Sequence, residues 1–67
     1  MIITFNIKFI RQQKGITLKQ LSLKTGISTS HLSDIENNLK TPSLTYAILI
    51  AKALKVNINE LYTIERY

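Results

Sequence analysis

A chain of 67 residues that contains no cysteine has to hold its fold together by side-chain packing alone. The lack of thiols excludes disulfide bonds and thiolate metal sites, and a single histidine, His31, does not make a histidine-rich metal site. Apolar residues make up 45% of the chain, which is ordinary for a folded domain and too high for disorder. We therefore expect residues 1–67 to form one small domain held by helix packing, without a metal or other cofactor.

The apolar pattern predicts an all-α fold of five short helices and no strand. Only two glycines and one proline are present, which argues against a turn-rich all-β fold. The first helix is predicted over about residues 4–14, since Ile7 and Ile10 recur at helical spacing. Gly15 suits the left-handed position just past its end.

The same helix would carry two apolar stripes on nearly opposite sides. The stripe expected to face the core is Ile3, Ile7 and Ile10. The second stripe is Ile2, Phe5 and Phe9. Exposed phenylalanines on so small a domain invite association. Either the C-terminal tail covers them through Tyr62, Ile64 or Tyr67, or the stripe meets a second copy or another protein.

Cap residues divide the rest of the chain into four further helices. Thr17 followed by Gln20 matches a capping box, which satisfies two backbone N–H groups at a helix start. Serine is a favoured N-cap, so two more helices are expected to begin after Ser28 and Ser43. A second capping pattern at Asn57 predicts a short last helix. The fourth helix is the most apolar, and its expected core-facing residues are Leu44, Ala47, Ile48, Ala51 and Leu54.

Residues 17–37 combine features that together are typical of a helix-turn-helix motif. The first helix of the motif ends at Gly26, Ile27 fills the turn, and the second helix begins after Ser28. Ser22 lies where the two helices are expected to cross, and a small side chain there allows a close approach. A helix, a glycine and a helix alone would be a weak signal, but the combination is moderately specific.

Roughly residues 3–63 resemble the Xre/Cro/phage-repressor family of helix-turn-helix regulators. The resemblance runs through IRQQKGIT, TLKQLSLKTGIS and SHLSDIENN in the first three helices and PSLTYAILIAKALKVNINELY in the last two. It implies a lambda-repressor-like helix-turn-helix DNA-binding domain. Four residues depart from the usual pattern: Leu18 stands where glutamine is common, Ser22 replaces an alanine, and Asn38 and Lys55 replace glycines.

The resemblance implies that the third helix enters the major groove of DNA with its polar face. Hydroxyls discriminate bases softly, a threonine methyl can contact a thymine methyl, and a carboxylate can accept a hydrogen bond from cytosine N4. The expected base-reading residues are Thr29, Ser30, His31, Ser33 and Asp34. The alternative is that these residues form a merely solvated helix face. No arginine or glutamine on this helix offers the usual bidentate base contact.

Affinity would then depend on the DNA backbone, which lysines, small polar side chains and helix N-termini contact. The expected phosphate-contacting residues are Thr17, Lys24, Asn37 and Lys40. The family relation also implies a partly buried ion pair between Arg11 in the first helix and Glu36 at the end of the third. The alternative for this pair is two unrelated surface charges.

The charge balance points to an acidic partner, because nine lysines and arginines stand against four acids, a net charge of +5. Together with the resemblance, it predicts a sequence-specific DNA-binding transcription regulator. The expected partners are double-stranded DNA and a second copy, a homodimer on a near-palindromic operator with half-sites about one helical turn apart. The alternative is a protein-binding module, such as an antitoxin or an adaptor with an unidentified protein partner.

Two further expectations concern chemistry and location. No nucleophile or second ligand is spaced to act with His31, so an enzyme is not expected. The chain has no apolar run of about 18 residues and no recognisable signal peptide, so we expect a cytoplasmic protein without a membrane partner.

Overall fold

A computed structural model describes residues 1–65 and contains four α-helices, a short 3-10 helix and two strands. In chain order the elements are β1 (Ile2–Phe5), α1 (Ile7–Gln13), α2 (Leu18–Thr25), α3 (Thr29–Glu36), α4 (Leu44–Leu54), the 3-10 helix (Ile58–Glu60) and β2 (Tyr62–Glu65). The expectation of five helices without a strand is therefore wrong in part. Within the described residues, no helix has the length and apolar character needed to cross a bilayer.

The ends of the described chain form a two-stranded antiparallel sheet where a longer first helix and tail were expected. Phe5 pairs with Tyr62 and Ile3 with Ile64, so the predicted first helix begins only at Ile7. β-Branched and aromatic residues fit a pleated strand, and pairing with a distant segment overrides a helical spacing of three isoleucines. We call these two paired strands, β1 and β2, the ribbon.

The ribbon replaces the second apolar stripe that was expected on the first helix. Ile2 and Phe5 lie on β1 rather than on a helix, so no continuous stripe with Phe9 exists. The tail does fold back over Phe5, whose ring meets that of Tyr62 edge to face with centroids 6.4 Å apart. Phe9, on α1, stays 66% exposed. Tyr67 lies outside the described residues.

Helix starts and ends follow the predicted caps. Thr17 and Gln20 form the capping box, and the hydroxyls of Ser28 and Ser43 accept the expected backbone hydrogen bonds. Gly26 ends α2 with φ at 76°. The two residues that replace family glycines adopt the same left-handed backbone, with φ at 61° for Asn38 and 58° for Lys55. These short caps set the angles at which the helices pack.

The core lies between α1, α2, α3, α4 and the 3-10 helix and consists of eleven buried apolar residues. They are Ile7, Ile10, Leu21, Ile27, Leu32, Ile35, Ala47, Ile50, Ala51, Leu54 and Leu61. The side of α4 that faces the core is displaced from the expected one, since Leu44 is 71% and Ile48 40% exposed. Ile50 takes the central position and is fully buried.

Candidate nucleic-acid interface

The turn between α2 and α3 is tied by side-chain hydroxyls, and these fix where α3 begins. Ser22 Oγ donates to the carbonyl oxygen of Ile27. Thr25 Oγ1 donates to the Leu21 carbonyl at 2.8 Å and accepts from the Ile27 N–H at 3.2 Å. Ser22, which replaces the family's alanine, therefore has its partly buried hydroxyl satisfied and adds a hydrogen bond at the crossing.

Helix α3 presents one apolar edge to the core and a polar face to solvent. Leu32 and Ile35 are buried, and the Ser28 hydroxyl accepts from the His31 N–H at 3.1 Å as a cap. The expected base-reading residues all lie on the polar face: Thr29 and Ser30 are exposed, and His31, Ser33 and Asp34 are half-buried. The fold therefore brings these five residues together on one accessible surface.

His31 does not project freely from this surface. Its ring meets the Tyr46 ring on α4 edge to face, with centroids 5.2 Å apart and planes at 89°. Tyr46 is half-buried beside the core, so it limits the orientations open to the imidazole. Sequence reasoning missed Tyr46, because a tyrosine in an apolar helix carries no sign of which helix it contacts.

Asp34 and Lys40 contact one another. Lys40 Nζ lies 3.4 Å from Asp34 Oδ2, with side chains 53% and 35% exposed. The backbone N–H groups of Leu39 and Lys40 also donate to the Asp34 carbonyl, at 2.8 and 3.3 Å. An expected base reader and an expected phosphate contact are thus each other's ionic partners, so that phosphate would compete with Asp34 for Lys40.

The other expected phosphate contacts flank the ends of α2 and α3. Thr17 Oγ1 accepts from the Gln20 N–H at 3.1 Å, which leaves its hydroxyl proton for an outside acceptor. Asn37 follows α3, and its side-chain amide donates to Ser33 Oγ at 3.4 Å. Lys24 is exposed in the last turn of α2. Leu18, at the position where glutamine is common, packs half-buried against the core.

Arg11 and Glu36 join α1 to the end of α3 through a bidentate ion pair. Arg11 Nε donates to Glu36 Oε2 at 2.8 Å and Nη2 to Oε1 at 3.1 Å. The third guanidinium contact is Nη1 to the Ile16 carbonyl at 3.0 Å. The two side chains are only 11% and 5% exposed. The pair therefore holds the C-terminal end of α3 against the rest of the domain.

The chain matches the helix-turn-helix family model over residues 7–61. It is 39% identical over 56 residues to the HTH-type transcriptional regulator SinR of Bacillus subtilis, covering 82% of this chain and 50% of that one. It is also 37% identical over 51 residues to antitoxin HipB of Escherichia coli, covering 76% of this chain and 54% of that one. The chain thus spans about half the length of these curated relatives.

Two solved structures share this fold. The N-terminal DNA binding domain of SinR from Bacillus subtilis matches with a TM-score of 0.74 at 38% identity, over 81% of this chain and 80% of that one. The restriction-modification controller protein C.AhdI from Aeromonas hydrophila matches with a TM-score of 0.79, over 82% and 83% of the two chains. The second match is 24% identical and bears on the fold alone.

Proposed function

Because the chain belongs to the helix-turn-helix family, we propose that it is a DNA-binding transcription regulator that inserts α3 into the major groove. The observation that carries this proposal is the outward polar face of α3, on a domain that resembles the SinR DNA binding domain in fold and sequence. The residues that read bases are Thr29, Ser30, His31, Ser33 and Asp34. Residues 1–67 act as one domain, and the protein works in the cytoplasm.

Base readout rests mainly on the N-terminal turn of α3. Thr29 and Ser30 are the most accessible residues of the polar face, and the first turn of a recognition helix is the part that reaches base edges. Their hydroxyls donate or accept, and the Thr29 methyl can contact a thymine methyl. His31 adds an imidazole whose position Tyr46 restricts. Readout that rests mainly on hydroxyls predicts modest discrimination at each base pair.

Phosphate contacts supply most of the affinity. Thr17, Lys24, Asn37 and Lys40 border the polar face at the ends of α2 and α3. Backbone contacts of this kind position the motif without reading sequence, and they weaken as salt rises. A homodimer on a near-palindromic operator, with half-sites about one helical turn apart, would double these contacts.

A protein-binding module, such as an antitoxin, is the second candidate. Its support is the similarity to antitoxin HipB and the lack of arginine and glutamine on α3. The two functions are distinguished by the salt dependence of binding to random duplex DNA. For a DNA-binding domain, the logarithm of the binding constant falls steeply and linearly with the logarithm of the salt concentration. An adaptor shows weak binding at every salt concentration.

Selection of bound duplexes from a random DNA pool tests sequence-specific binding directly. We expect an enriched motif, and we expect Thr29→Ala to change it at one base pair by about 1–3 kcal/mol. Thr45→Ala is the matched control, since Thr45 is an exposed threonine in the first turn of α4. A motif that survives alanine at all five base-reading positions would refute the assignment.

A further inference from the structure

The ribbon lies outside the core and leaves apolar side chains in solvent. Ile2 is 47%, Ile3 46% and Ile64 42% exposed, whereas the core residues are at most 9% exposed. Strands β1 and β2 pair only with each other among the described residues. Two strands of four residues are marginal as an isolated unit, so a further covering partner would stabilise them.

The outer edge of β1 lacks the usual protection against pairing with another strand. Natural sheets protect exposed edges with lysine or other charges, proline or bulges. The sequence of β1, IITF, contains none of the charged residues and no proline, and its first three residues are exposed. Strand β2 differs, because it carries the carboxylate of Glu65. The unprotected edge of the ribbon is therefore β1.

One face of the ribbon is apolar along its whole length. Directly paired residues share a face, so Ile3 and Ile64 lie on the same side as Phe5 and Tyr62. Phe5 and Tyr62 pack against the core, while the outer pair remains half-exposed. A neighbouring strand on the β1 edge would extend this apolar face.

We propose that β1 pairs with β1 of a second copy, antiparallel about a twofold axis, to give a four-stranded sheet with β1 strands at its centre. This inference deepens the homodimer of the proposed function and rests on it for its biological use. An axis perpendicular to the sheet keeps the apolar residues of both copies on one face. That condition places a residue opposite its own copy, and the two strands overlap most with either Ile3 opposite Ile3 of the second copy or Thr4 opposite Thr4 of the second copy.

Charge favours a second copy at this edge over self-association elsewhere. The chain carries a net charge of +5, so most of its surfaces repel their own copies. Strand β1 has no charged residue, and its self-pairing brings no like charges together. Exposed apolar side chains elsewhere lie beside lysines: Lys52 is one turn after Ile48 on α4, and Lys8 directly precedes Phe9 on α1.

The size of the ribbon predicts a weak dimer. A four-residue strand is about 13 Å long, and its edge covers much less than the roughly 800 Å² per partner of a standard stable interface. We therefore expect only a small fraction of the chains to be paired in dilute solution. Two half-sites on one DNA would raise the effective concentration of the strands and favour pairing there.

Because the chain contains no cysteine, a single introduced cysteine is its only thiol and can form a disulfide only with a second copy. Single variants Ile3→Cys and Thr4→Cys are oxidised mildly, and we expect one of them to form dimers about tenfold faster than random collision allows. Ile2→Cys is the matched control, because Ile2 is as exposed as Ile3, yet its two copies would lie beyond the roughly 7 Å that a disulfide can span. Ile48→Cys tests the α4 surface. Equal rates for all four variants, or the fastest rate for Ile48→Cys, would overturn the proposal.

A second measurement separates pairing from folding and from DNA binding. Sedimentation at high protein concentration, where the wild type is expected to associate, compares Ile3→Lys with Ile48→Lys, which adds the same charge at a residue of similar exposure. Only Ile3→Lys should abolish association, with the urea midpoint followed as a check on folding. On DNA, Ile3→Lys should keep binding to one half-site and lose cooperative binding to two. If the wild type binds no half-site, the proposed function fails while the disulfide result still decides the pairing.

Discussion

At the scale of single residues, the Asp34–Lys40 pair bears most directly on DNA affinity. Phosphate competes with Asp34 for Lys40, and the carboxylate itself repels the DNA backbone. We expect Asp34→Asn to strengthen binding to random duplex DNA by about 1 kcal/mol, roughly fivefold, because Lys40 is released. Lys40→Ala should weaken binding to all sequences alike. Fluorescence anisotropy at low salt measures both changes.

The control for Asp34→Asn is the same substitution in a Lys40→Gln variant, which has no Lys40 ammonium to release. An equal gain in affinity with and without Lys40 would mean that net charge, and not release of Lys40, is responsible.

The Asp34→Asn substitution should also shift the selected motif at one base pair if the carboxylate reads cytosine. An unchanged motif would remove Asp34 from the base-reading residues and keep it as a partner of Lys40.

Single residues also mark what the sequence could and could not predict. The caps at Thr17, Ser28 and Ser43 follow from local chemistry, and the left-handed Asn38 and Lys55 follow from their place after helices. The pair of Asp34 and Lys40 was not predicted, because it depends on the turn that Asn38 makes between them. The contact of His31 with Tyr46 depends on how α3 and α4 pack, which no local pattern specifies.

At the scale of elements, the Arg11–Glu36 pair links α1 to α3 and should contribute strongly to stability. Removing one partner of a nearly buried pair leaves a desolvated charge alone, at a cost of about 3–5 kcal/mol. We therefore expect Glu36→Gln to lower the free energy of unfolding by an amount in this range. Urea denaturation measures the change.

Lys40→Gln is the matched control, because it breaks the exposed pair with Asp34 and should cost at most about 1 kcal/mol. If Glu36→Gln leaves the urea midpoint unchanged, the pair acts as a surface contact despite its low exposure. Such a result would also weaken the idea that Arg11 holds the end of α3 in place.

The strands of the ribbon and part of the buried side of α4 are the features that sequence reasoning missed at this scale. Strand β1 pairs with a segment 57 or more residues away, and a four-residue apolar run reads equally well as strand or helix. Helix α4 is apolar around most of its circumference, so its periodicity does not identify the buried side. Packing against the other helices buries Ala47, Ile50, Ala51 and Leu54, whereas Leu44 and Ile48 remain exposed.

At the scale of the whole molecule, the chain has a net charge of +5, and its described residues form a body about 20 Å across its two shorter axes. At an ionic strength of about 0.01 M the Debye length is roughly 30 Å, so all these charges repel one another. Salt should therefore act on folding and on DNA binding in opposite directions. It screens self-repulsion in the folded chain, and it weakens phosphate contacts in the complex.

We expect sodium chloride to raise the free energy of unfolding while it lowers DNA affinity. Two like charges about 15 Å apart repel by about 0.3 kcal/mol in water, and five net charges make about ten such pairs. The unfolded chain keeps part of this repulsion, so the gain in the free energy of unfolding between low salt and about 0.5 M is on the order of 1 kcal/mol.

The control is the double variant Lys8→Gln/Lys52→Gln, which removes two exposed charges near opposite helix ends and should show a smaller gain. Urea midpoints at several chloride concentrations measure the effect. A stability that falls with salt in the wild type would mean that exposed attractive pairs such as Asp34–Lys40 outweigh the repulsion among the lysines.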